Sequence, residues 1–343
     1  MSNELKTVAV TMGDPGGIGP EIIIKALSAY PPARGNDKLN RHIRFLLIGD
    51  EQIFQTASRL LKSDFKPKKI DSIDCLTGEL PAGIYFLHLK SPTGVTMGQV
   101  NRANGTAAWN CLQTAIDLIH QHKISALVTA PVSKEAINLA GYPFTGHTEF
   151  LAKKNNARKV AMMFVGKNLK VSLVTTHLAY KKVPLYLSTQ KILETILITD
   201  DWLKKYCGRR QPRLAVCGLN PHAGESGWLG SEEKNIIAPA VTQAKEAGLA
   251  CQGPFPADNI FKQALDGAFE AVIALYHDQG LIPIKMFGFN ESANITLGLP
   301  IIRTSPLHGT AFDLAGKGTA EAGSMTTAIN LATEMCLQEK SLF

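Results

Sequence analysis

The chain has 343 residues, which is enough for about two domains with a sizeable hydrophobic core. Hydrophobic residues make up 45% of it and charged residues 19%, proportions typical of a globular protein. The formal net charge is +7, but the basic residues are spread along the chain apart from the run "KPKK" at 66–69, which favours a solvated basic surface over a nucleic-acid site.

Apolar, β-rich runs alternate with helical patterns along most of the chain, which indicates βαβ units, parallel sheets and an α/β fold. The predicted strands are, in chain order, "KTVAVTMG", "RFLLIG", "SALVTA", "RLAVCGL" and "AVIALY". The predicted helices are "GPEIIIKALSAY", "NGTAAWNCLQTAIDLIHQH", "PVSKEAINLAG", "TQKILETILITDDWLKKY", "SEEKNIIAPAVTQAKEAG" and "SMTTAINLATEMCLQ". Two β runs around Gly166, Lys167 and Asn168 predict a hairpin.

Nothing in the pattern points to a membrane or to export. No apolar stretch approaches the ~20 residues that a membrane span needs, and the first residues do not have the layout of a secretory signal. The six cysteines are scattered and form no CxxC, so we expect reduced, mostly buried thiols in a cytoplasmic protein.

Three histidines each follow an apolar, strand-like run: His177 in "VSLVTTH", His222 in "RLAVCGLNPH" and His277 in "EAVIALYH". Ligands of open α/β sheets bind beyond the carboxyl ends of the strands. Three imidazoles there could hold one metal ion and leave a coordination position for substrate. Any single histidine is more often structural, so the spacing alone leaves both interpretations open.

Three further segments carry polar residues in unusual settings. "GDPGGIGPE" at 13–21 does not match the dinucleotide fingerprint and is either a tight strand–helix turn or a loop close to a ligand, with Asp14 as its chemically competent side chain. Lys285 stands between apolar residues, as a snorkelling side chain or an anion partner. Arg303, at the end of an apolar run, needs an anionic partner if it is buried.

Taken in order, the motifs "GDPGGIGPE", "PFTGHTEF", "LNPHAGE", "YHDQGLIPIK", "NITLGLPIIRTS" and "HGTAFDLAGKG" resemble those of the 4-hydroxythreonine-4-phosphate dehydrogenase family, which is related to isocitrate and isopropylmalate dehydrogenases. The resemblance implies two α/β/α domains with a cleft between them. We place the first domain at 1–130 plus 290–343 and the second at 131–289. It also implies a homodimer whose active site is shared between subunits.

The resemblance assigns roles to individual residues. His177, His222 and His277 match the divalent-metal ligands, with His277 contributed by the other subunit. The substrate-binding residues that it implies are His147, Thr148, Lys285, Asn294 and Arg303. Three neutral imidazoles suit Zn²⁺ best, with Co²⁺ or Mg²⁺ as alternatives. Lys285 and Asp258 are both candidates for the general base.

The segment "HGTAFDLAGKG" also resembles the adenosine-binding loop of isopropylmalate dehydrogenase, so His308, Gly309, Thr310 and Asp313 are expected to bind the cofactor. A carboxylate at Asp313 can accept hydrogen bonds from the ribose hydroxyls and repels a 2′-phosphate. The expected cofactor is therefore NAD rather than NADP.

The reaction that the resemblance implies is the NAD- and metal-dependent oxidation of 4-phosphooxy-L-threonine to the 3-keto acid, with decarboxylation to 3-amino-2-oxopropyl phosphate, in pyridoxal 5′-phosphate biosynthesis. The segment "TAPVSKEAI" departs from the biosynthetic pattern and favours an alternative, a D-threonate or D-erythronate 4-phosphate dehydrogenase. A cis-dihydrodiol dehydrogenase and a non-redox phosphate acyltransferase are further alternatives.

Overall fold

The structure, a computed structural model, describes residues 5–28, 30, 42–77, 80–166 and 168–338. It divides into two compact units. The first runs to Asn156 and resumes at Pro300, and the second is Ala157–Leu299. Compared with the boundaries expected from the sequence, residues 131–156 belong to the first unit because their helices pack there, and residues 290–299 belong to the second because their strand pairs there.

Strands and helices alternate along most of the chain, as the sequence predicts. The strands are β1 (Lys6–Thr11), β2 (Ile43–Gly49), β3 (Lys68–Ile70), β4 (Gly83–His88), β5 (Ala126–Thr129), β6 (Ala161–Gly166), β7 (Leu169–Leu173), β8 (Leu214–Cys217), β9 (Cys251–Phe255), β10 (Ala271–Ala274), β11 (Ser292–Leu297) and β12 (Ile302–Pro306). The helices are α1 (Gly19–Ser28), α2 (Glu51–Leu60), α3 (Arg102–His120), α4 (Lys134–Leu139), α5 (His147–Lys154), α6 (Val183–Tyr186), α7 (Thr189–Cys207), α8 (Ala238–Glu246), α9 (Ala257–Leu265), α10 (His277–Gly288) and α11 (Gly323–Gln338).

The first unit is built on a parallel sheet in the order β3-β4-β2-β1-β5-β12. Its central strands are buried on both faces, and β2 is buried along its whole length. Continuous apolar strands of this kind are typical of parallel sheets that helices cover on both sides. The α/β class expected from the sequence is therefore confirmed.

The second unit has a mixed sheet in the order β11-β6-β7-β10-β8-β9. The strands β7, β10, β8 and β9 run parallel, whereas β6 pairs antiparallel with both β7 and β11. The β6–β7 pairing confirms the predicted hairpin, although Lys167 at its turn lies outside the described residues. The antiparallel pairing of β11 is not expected from the sequence, since it depends on a partner more than a hundred residues away.

Local sequence signals set several helix ends. Asp50, Asn101 and Ser188 cap α2, α3 and α7, each accepting a hydrogen bond from a backbone N–H of the first turn. Gly208, with φ of 62°, ends α7 in the left-handed conformation that glycine adopts without strain. Among the described residues no helix is long and apolar enough to cross a membrane.

Two local expectations differ from the structure. The segment from His277 is a helix, α10, that contains Pro283, although the sequence offered no clear helical signal there. Arg303 is the second residue of β12 rather than the last residue of a strand, because the apolar run before it, around Pro300, is not a strand. Four of the six cysteines are buried and all six are free thiols, as expected.

Candidate active site

The three histidines follow neighbouring strands of the second unit. The strand β10 lies between β7 and β8 and is parallel to both, so the carboxyl ends of all three strands lie at the same edge. His177 follows β7, His222 follows β8 and His277 is the first residue of α10 after β10. The topology therefore places the three side chains beyond one edge of the sheet, where such folds bind ligands.

His177 and His277 come together within one chain. Their ring centroids are 5.6 Å apart, with the ring planes inclined by 43°. The Nδ1 atom of His277 lies 2.7 Å from Oδ1 of Asp278. A carboxylate that accepts from one ring nitrogen fixes the tautomer and leaves the other, Nε2, as a ligand atom, which is the usual arrangement at metal-binding histidines.

His222 lies in a turn of unusual backbone conformation. Five successive residues, from His222 to Ser226, have positive φ values between 42° and 79°, and four of them are not glycine. Left-handed backbone costs an L-residue roughly 1–2 kcal/mol, so a run of this length persists only where the surroundings hold it. The buried carboxylate of Glu233 contributes by accepting hydrogen bonds from the N–H groups of Leu219 and Asn220 at 2.8 and 2.7 Å.

The residues fit a metal site in part. Among the described residues of one chain, no three His, Cys, Asp or Glu side chains lie close enough together to hold a metal ion. The pair brought together in one chain is His177 with His277, whereas the resemblance assigns His177 and His222 to one subunit. Imidazole donors and the orientation of His277 suit a metal, and one chain brings together two of the three histidines that the resemblance names.

In the first unit, three of the expected substrate-binding residues cluster around the start of α5. Gly146, with φ of 152°, precedes the helix without a side-chain cap, and His147 and Thr148 form its first turn. Burial, with the nearby positive charge of Arg303 and then that of Lys134, holds the pKa of His147 well below its usual value. His147 is therefore neutral near pH 7, and its enclosed Nε2 makes no hydrogen bond to the described residues.

Arg303 provides the positive charge of this cluster. It is 2% exposed on β12, and its guanidinium donates a hydrogen bond to Oγ1 of Thr129 at 2.7 Å. Burial lowers the pKa of Arg303 to about 10, with Glu149 acting in the opposite direction, so the side chain remains charged at neutral pH. A buried cation beside a neutral imidazole and a helix N-terminus suits an anionic group of a substrate.

The other two expected substrate residues are in the second unit. Asn294 is buried on β11, opposite Phe164 of β6. Lys285 is exposed on α10, with its Nζ 5.6 Å from the centre of the Phe289 ring. Asp258, a candidate base, is exposed in the first turn of α9, a helix that contacts the turn Pro221–Gly227.

The expected cofactor loop is anchored to α1. Glu21 is 2% exposed, and its carboxylate accepts hydrogen bonds from the N–H groups of Gly316 and Gly318 at 2.6 and 3.0 Å. The Nζ of Lys25 donates to the carbonyl oxygens of Gly318 and Ala320 at 2.8 and 2.6 Å. These four hydrogen bonds explain why a helix rich in isoleucine carries two charged residues towards this loop.

The loop keeps polar groups available for a ligand. Asp313 is exposed, and a side chain on Gly309 would meet nothing within 4 Å. The Nε2 atom of His308 is buried without a hydrogen-bond partner among the described residues, and burial lowers the pKa of this histidine. An imidazole nitrogen without a partner and an exposed carboxylate on the same loop fit a nucleoside that offers hydroxyl groups.

Asp14 lies in the glycine-rich segment that packs against this loop. Ile18 donates a backbone hydrogen bond to the Thr310 carbonyl at 3.0 Å, and a Cβ on Gly17 would stand 2.7 Å from the same oxygen. The segment is thus a tight turn, as one interpretation has it, and it packs against the expected cofactor loop; its closeness to a ligand stays a prediction. Asp14 is fully buried, and burial raises its pKa to about 6 despite a hydrogen bond from the Gly16 N–H at 2.8 Å.

Sequence reasoning assigned no role to Glu21, Lys134 or Glu233. The charge of Glu21 inside an apolar helix is a detectable signal, because a buried carboxylate needs donors. Lys134 lies near the substrate cluster, where its Nζ would be 3.4 Å from a Cβ on Gly146. No local sequence pattern predicts the role of Glu233, because its hydrogen-bond partners lie 13 and 14 residues before it.

Comparison with known proteins identifies the relatives of the chain. Residues 41–332 match the family model described as pyridoxal phosphate biosynthetic protein PdxA. A 4-hydroxythreonine-4-phosphate dehydrogenase of Geobacter metallireducens is 43% identical, covering 98% of this chain and 97% of the relative. A D-threonate 4-phosphate dehydrogenase of Salmonella typhimurium is 42% identical, covering 97% and 99%. The crystal structure of a 4-hydroxythreonine-4-phosphate dehydrogenase from Klebsiella pneumoniae superimposes with a TM-score of 0.79 at 39% identity, covering 96% of this chain and 99% of that one.

Proposed function

The chain belongs to the family of the pyridoxal phosphate biosynthetic protein PdxA, a family of dehydrogenases, and we propose that it oxidises 4-phosphooxy-L-threonine with NAD and a divalent metal. The secondary alcohol at C3 becomes a ketone, its hydride passes to NAD⁺ and its hydroxyl proton to a base. The resulting β-keto acid loses CO₂ to give 3-amino-2-oxopropyl phosphate, an intermediate suited to pyridoxal 5′-phosphate synthesis in the cytoplasm.

The observation that carries the metal part of the proposal is the pair of His177 and His277 beyond the strand ends, with Asp278 orienting the ring of His277. His222 is the third ligand in the proposal. A bound divalent metal would act as a Lewis acid on the substrate hydroxyl and stabilise the negative charge that develops on oxygen. Zn²⁺ suits three imidazoles best, and Co²⁺ or Mg²⁺ are the alternatives.

The residues of the chain itself bind and orient the reactants. Arg303 stays charged at neutral pH, so together with Lys285 it can hold the phosphate and carboxylate groups. Neutral His147, with Thr148 and Asn294, can donate or accept hydrogen bonds without adding charge. Asp313 and His308 would receive the ribose and adenosine of NAD. Lys285 and Asp258 both remain candidates for the base.

A homodimer is part of the proposal. Large apolar side chains are exposed on segments of the second unit that follow the histidine-bearing strands: Tyr180, Leu185, Tyr186, Trp228, Leu229, Ile282, Met286, Phe287 and Phe289. Concentrated apolar exposure of this kind marks an interaction surface. The occupant we propose is a second copy of the chain, which would also bring the third imidazole to the metal.

A second candidate substrate is D-threonate 4-phosphate. The D-threonate 4-phosphate dehydrogenase of Salmonella typhimurium favours this substrate, because it is 42% identical to this chain. The 4-hydroxythreonine-4-phosphate dehydrogenase of Geobacter metallireducens is 43% identical, so sequence identity does not separate the two. The two substrates differ at C2, where one carries an ammonium group and the other a hydroxyl group. Both present the phosphate, the carboxylate and the oxidisable C3 hydroxyl to the same residues.

The deciding experiment measures NADH formation by the purified chain with Zn²⁺, Co²⁺ or Mg²⁺ and each of three substrates: 4-phosphooxy-L-threonine, D-threonate 4-phosphate and D-erythronate 4-phosphate. We expect the highest kcat/KM with the first. A higher value with either of the others moves the assignment to that substrate, and no NADH with any of them refutes the proposal.

Two variants test the site. His222→Ala should abolish turnover and lower the metal content while the protein still folds, whereas His120→Ala, an exposed histidine at the end of α3, should change neither. Mixing inactive His222→Ala with inactive His277→Ala should restore part of the activity if two copies share each site. Full activity of His222→Ala after treatment with a chelator would contradict the metal proposal.

A further inference from the structure

One buried side chain joins the ends of two strands that lead to the histidines. Gln279 is 8% exposed in the first turn of α10. Its Oε1 accepts a hydrogen bond from the N–H of Leu275, and its Nε2 donates one to the carbonyl oxygen of Gly218, both at 2.7 Å. Leu275 lies two residues before His277, and Gly218 lies four residues before His222.

The third strand end joins the same network. Thr175, two residues before His177, donates from its backbone N–H and from its hydroxyl to the carbonyl oxygen of Leu275, at 3.2 and 2.7 Å. Leu275 thus uses its N–H towards Gln279 and its carbonyl towards Thr175. Through these contacts the backbone leading to each of the three histidines is connected by buried hydrogen bonds.

The regular hydrogen bonds between the strands do not by themselves connect the segments that lead to the three histidines. The last paired residues are Val216 with Ile273 and Leu173 with Ala274, so the residues that follow have left the regular register. Buried backbone groups there still need partners, since an unsatisfied one costs about 1–3 kcal/mol. A glutamine amide offers an acceptor and a donor at once, which neither a glutamate nor an apolar side chain of the same length can provide.

We propose that Gln279 is a positioning residue, which fixes the loop that carries His222 against the strand end that leads to His277 of the same chain, and so sets where each loop presents its histidine to a metal site shared between two copies. It acts through the backbone at Gly218 and Leu275 and touches no reactant. Without its amide the run of left-handed residues after Asn220 keeps the support of Glu233 but loses its tie to β10. The inference rests on the proposed metal site.

The test compares two variants that break the bridge in different ways. Gln279→Met keeps the length of the side chain and removes both hydrogen bonds, whereas Gln279→Glu keeps an acceptor for Leu275 and loses the donor to Gly218. Gln243→Met, on the exposed side of α8, is the matched control. The measurements are Zn²⁺ binding by calorimetry, hydrogen exchange of the backbone amides, and thermal unfolding.

We expect Gln279→Met to weaken Zn²⁺ binding about 10- to 100-fold, the range seen when partners of metal ligands are removed, and to speed exchange of the amides in 219–227. Gln279→Glu should show the same faster exchange in 219–227 while the Leu275 amide stays protected. If the substitutions affected only global stability, the unfolding temperature would change, but exchange would not become faster in 219–227 while the Leu275 amide stays protected.

The outcomes separate the inference from the function on which it rests. Wild-type affinity for Zn²⁺ and wild-type exchange in 219–227 in Gln279→Met would overturn the role of Gln279. If the wild-type chain itself does not bind Zn²⁺, the proposed metal site is refuted, and the exchange data alone then decide whether Gln279 holds the His222 loop. If Gln279→Met does not fold, Gln279→Glu provides the same comparison.

Discussion

Replacing Glu21 by glutamine should weaken NAD binding with little effect on the chemical step. Both oxygens of this buried carboxylate accept backbone hydrogen bonds, from Gly316 and from Gly318, in the loop expected to bind the cofactor. In Glu21→Gln one oxygen becomes an NH₂ group that faces a backbone N–H. The variant therefore loses one hydrogen bond and leaves one buried donor unsatisfied.

The magnitude follows from the geometry. A hydrogen bond to a charged group contributes roughly 1.5–3 kcal/mol, and the remaining one loses its charge assistance. Lys25 still holds the carbonyl oxygens of Gly318 and Ala320, so the loop is loosened rather than released. If reordering the loop costs about 2 kcal/mol on binding, the KM for NAD rises about 30-fold, while kcat falls far less.

The assay is steady-state kinetics with NAD varied at saturating substrate, together with hydrogen exchange of the Gly316 and Gly318 amides. Glu51→Gln is the matched control, because Glu51 also lies in the first turn of a helix but is paired with Lys69 near the surface. Exposed pairs contribute less than about 1 kcal/mol, so this control should leave the KM for NAD unchanged. An unchanged KM in Glu21→Gln, or a fall in kcat alone, would refute the reasoning.

Three further predictions concern buried and exposed charges. Asp14 has a pKa of about 6 in the folded chain, against 3.8 for a free side chain, so stability falls as pH rises from 3.8 to 6. Asp14→Asn should therefore raise the free energy of unfolding at pH 7.5 by up to about 3 kcal/mol in urea titrations. Equal stability of the two proteins at pH 7.5 would contradict this prediction. The pKa of His147 is lowered mainly by burial, so below about pH 6.5 the unfolded chain binds a proton that the folded chain does not. The free energy of unfolding should therefore decrease as pH is lowered below 6.5, by up to about 1.4 kcal/mol per pH unit, and the decrease should be smaller in His147→Gln. Asp313→Ser should narrow the preference for NAD over NADP about tenfold, equivalent to about 1.4 kcal/mol, and a wild-type preference for NADP in kinetics would show that the cofactor assignment is wrong.

Much of the fold could be predicted because its signals are local. The apolar runs of β1, β2, β5, β8 and β10 and the periodicity of α3 and α7 lie where the sequence places them. Amphipathic periods, caps and turn residues act over a few residues, so a single sequence carries them. The same locality explains why the position of α10, with a proline inside it, and the start of β12 were less clear.

The candidate site, too, could be predicted only where its signals are local in the sequence. The sequence by itself determined that three histidines follow strands, that Arg303 lies in an apolar setting and that Asp313 lies in a glycine-rich loop, because these facts depend only on neighbouring residues. The tertiary structure decided that β10 lies between β7 and β8, which brings His177 beside His277. It also decided that Glu21 holds a loop 295 and 297 residues away and that Gln279 reaches a carbonyl group 61 residues before it. Such pairings arise because buried polar groups must find partners wherever the strand order places them, and no local pattern records that order.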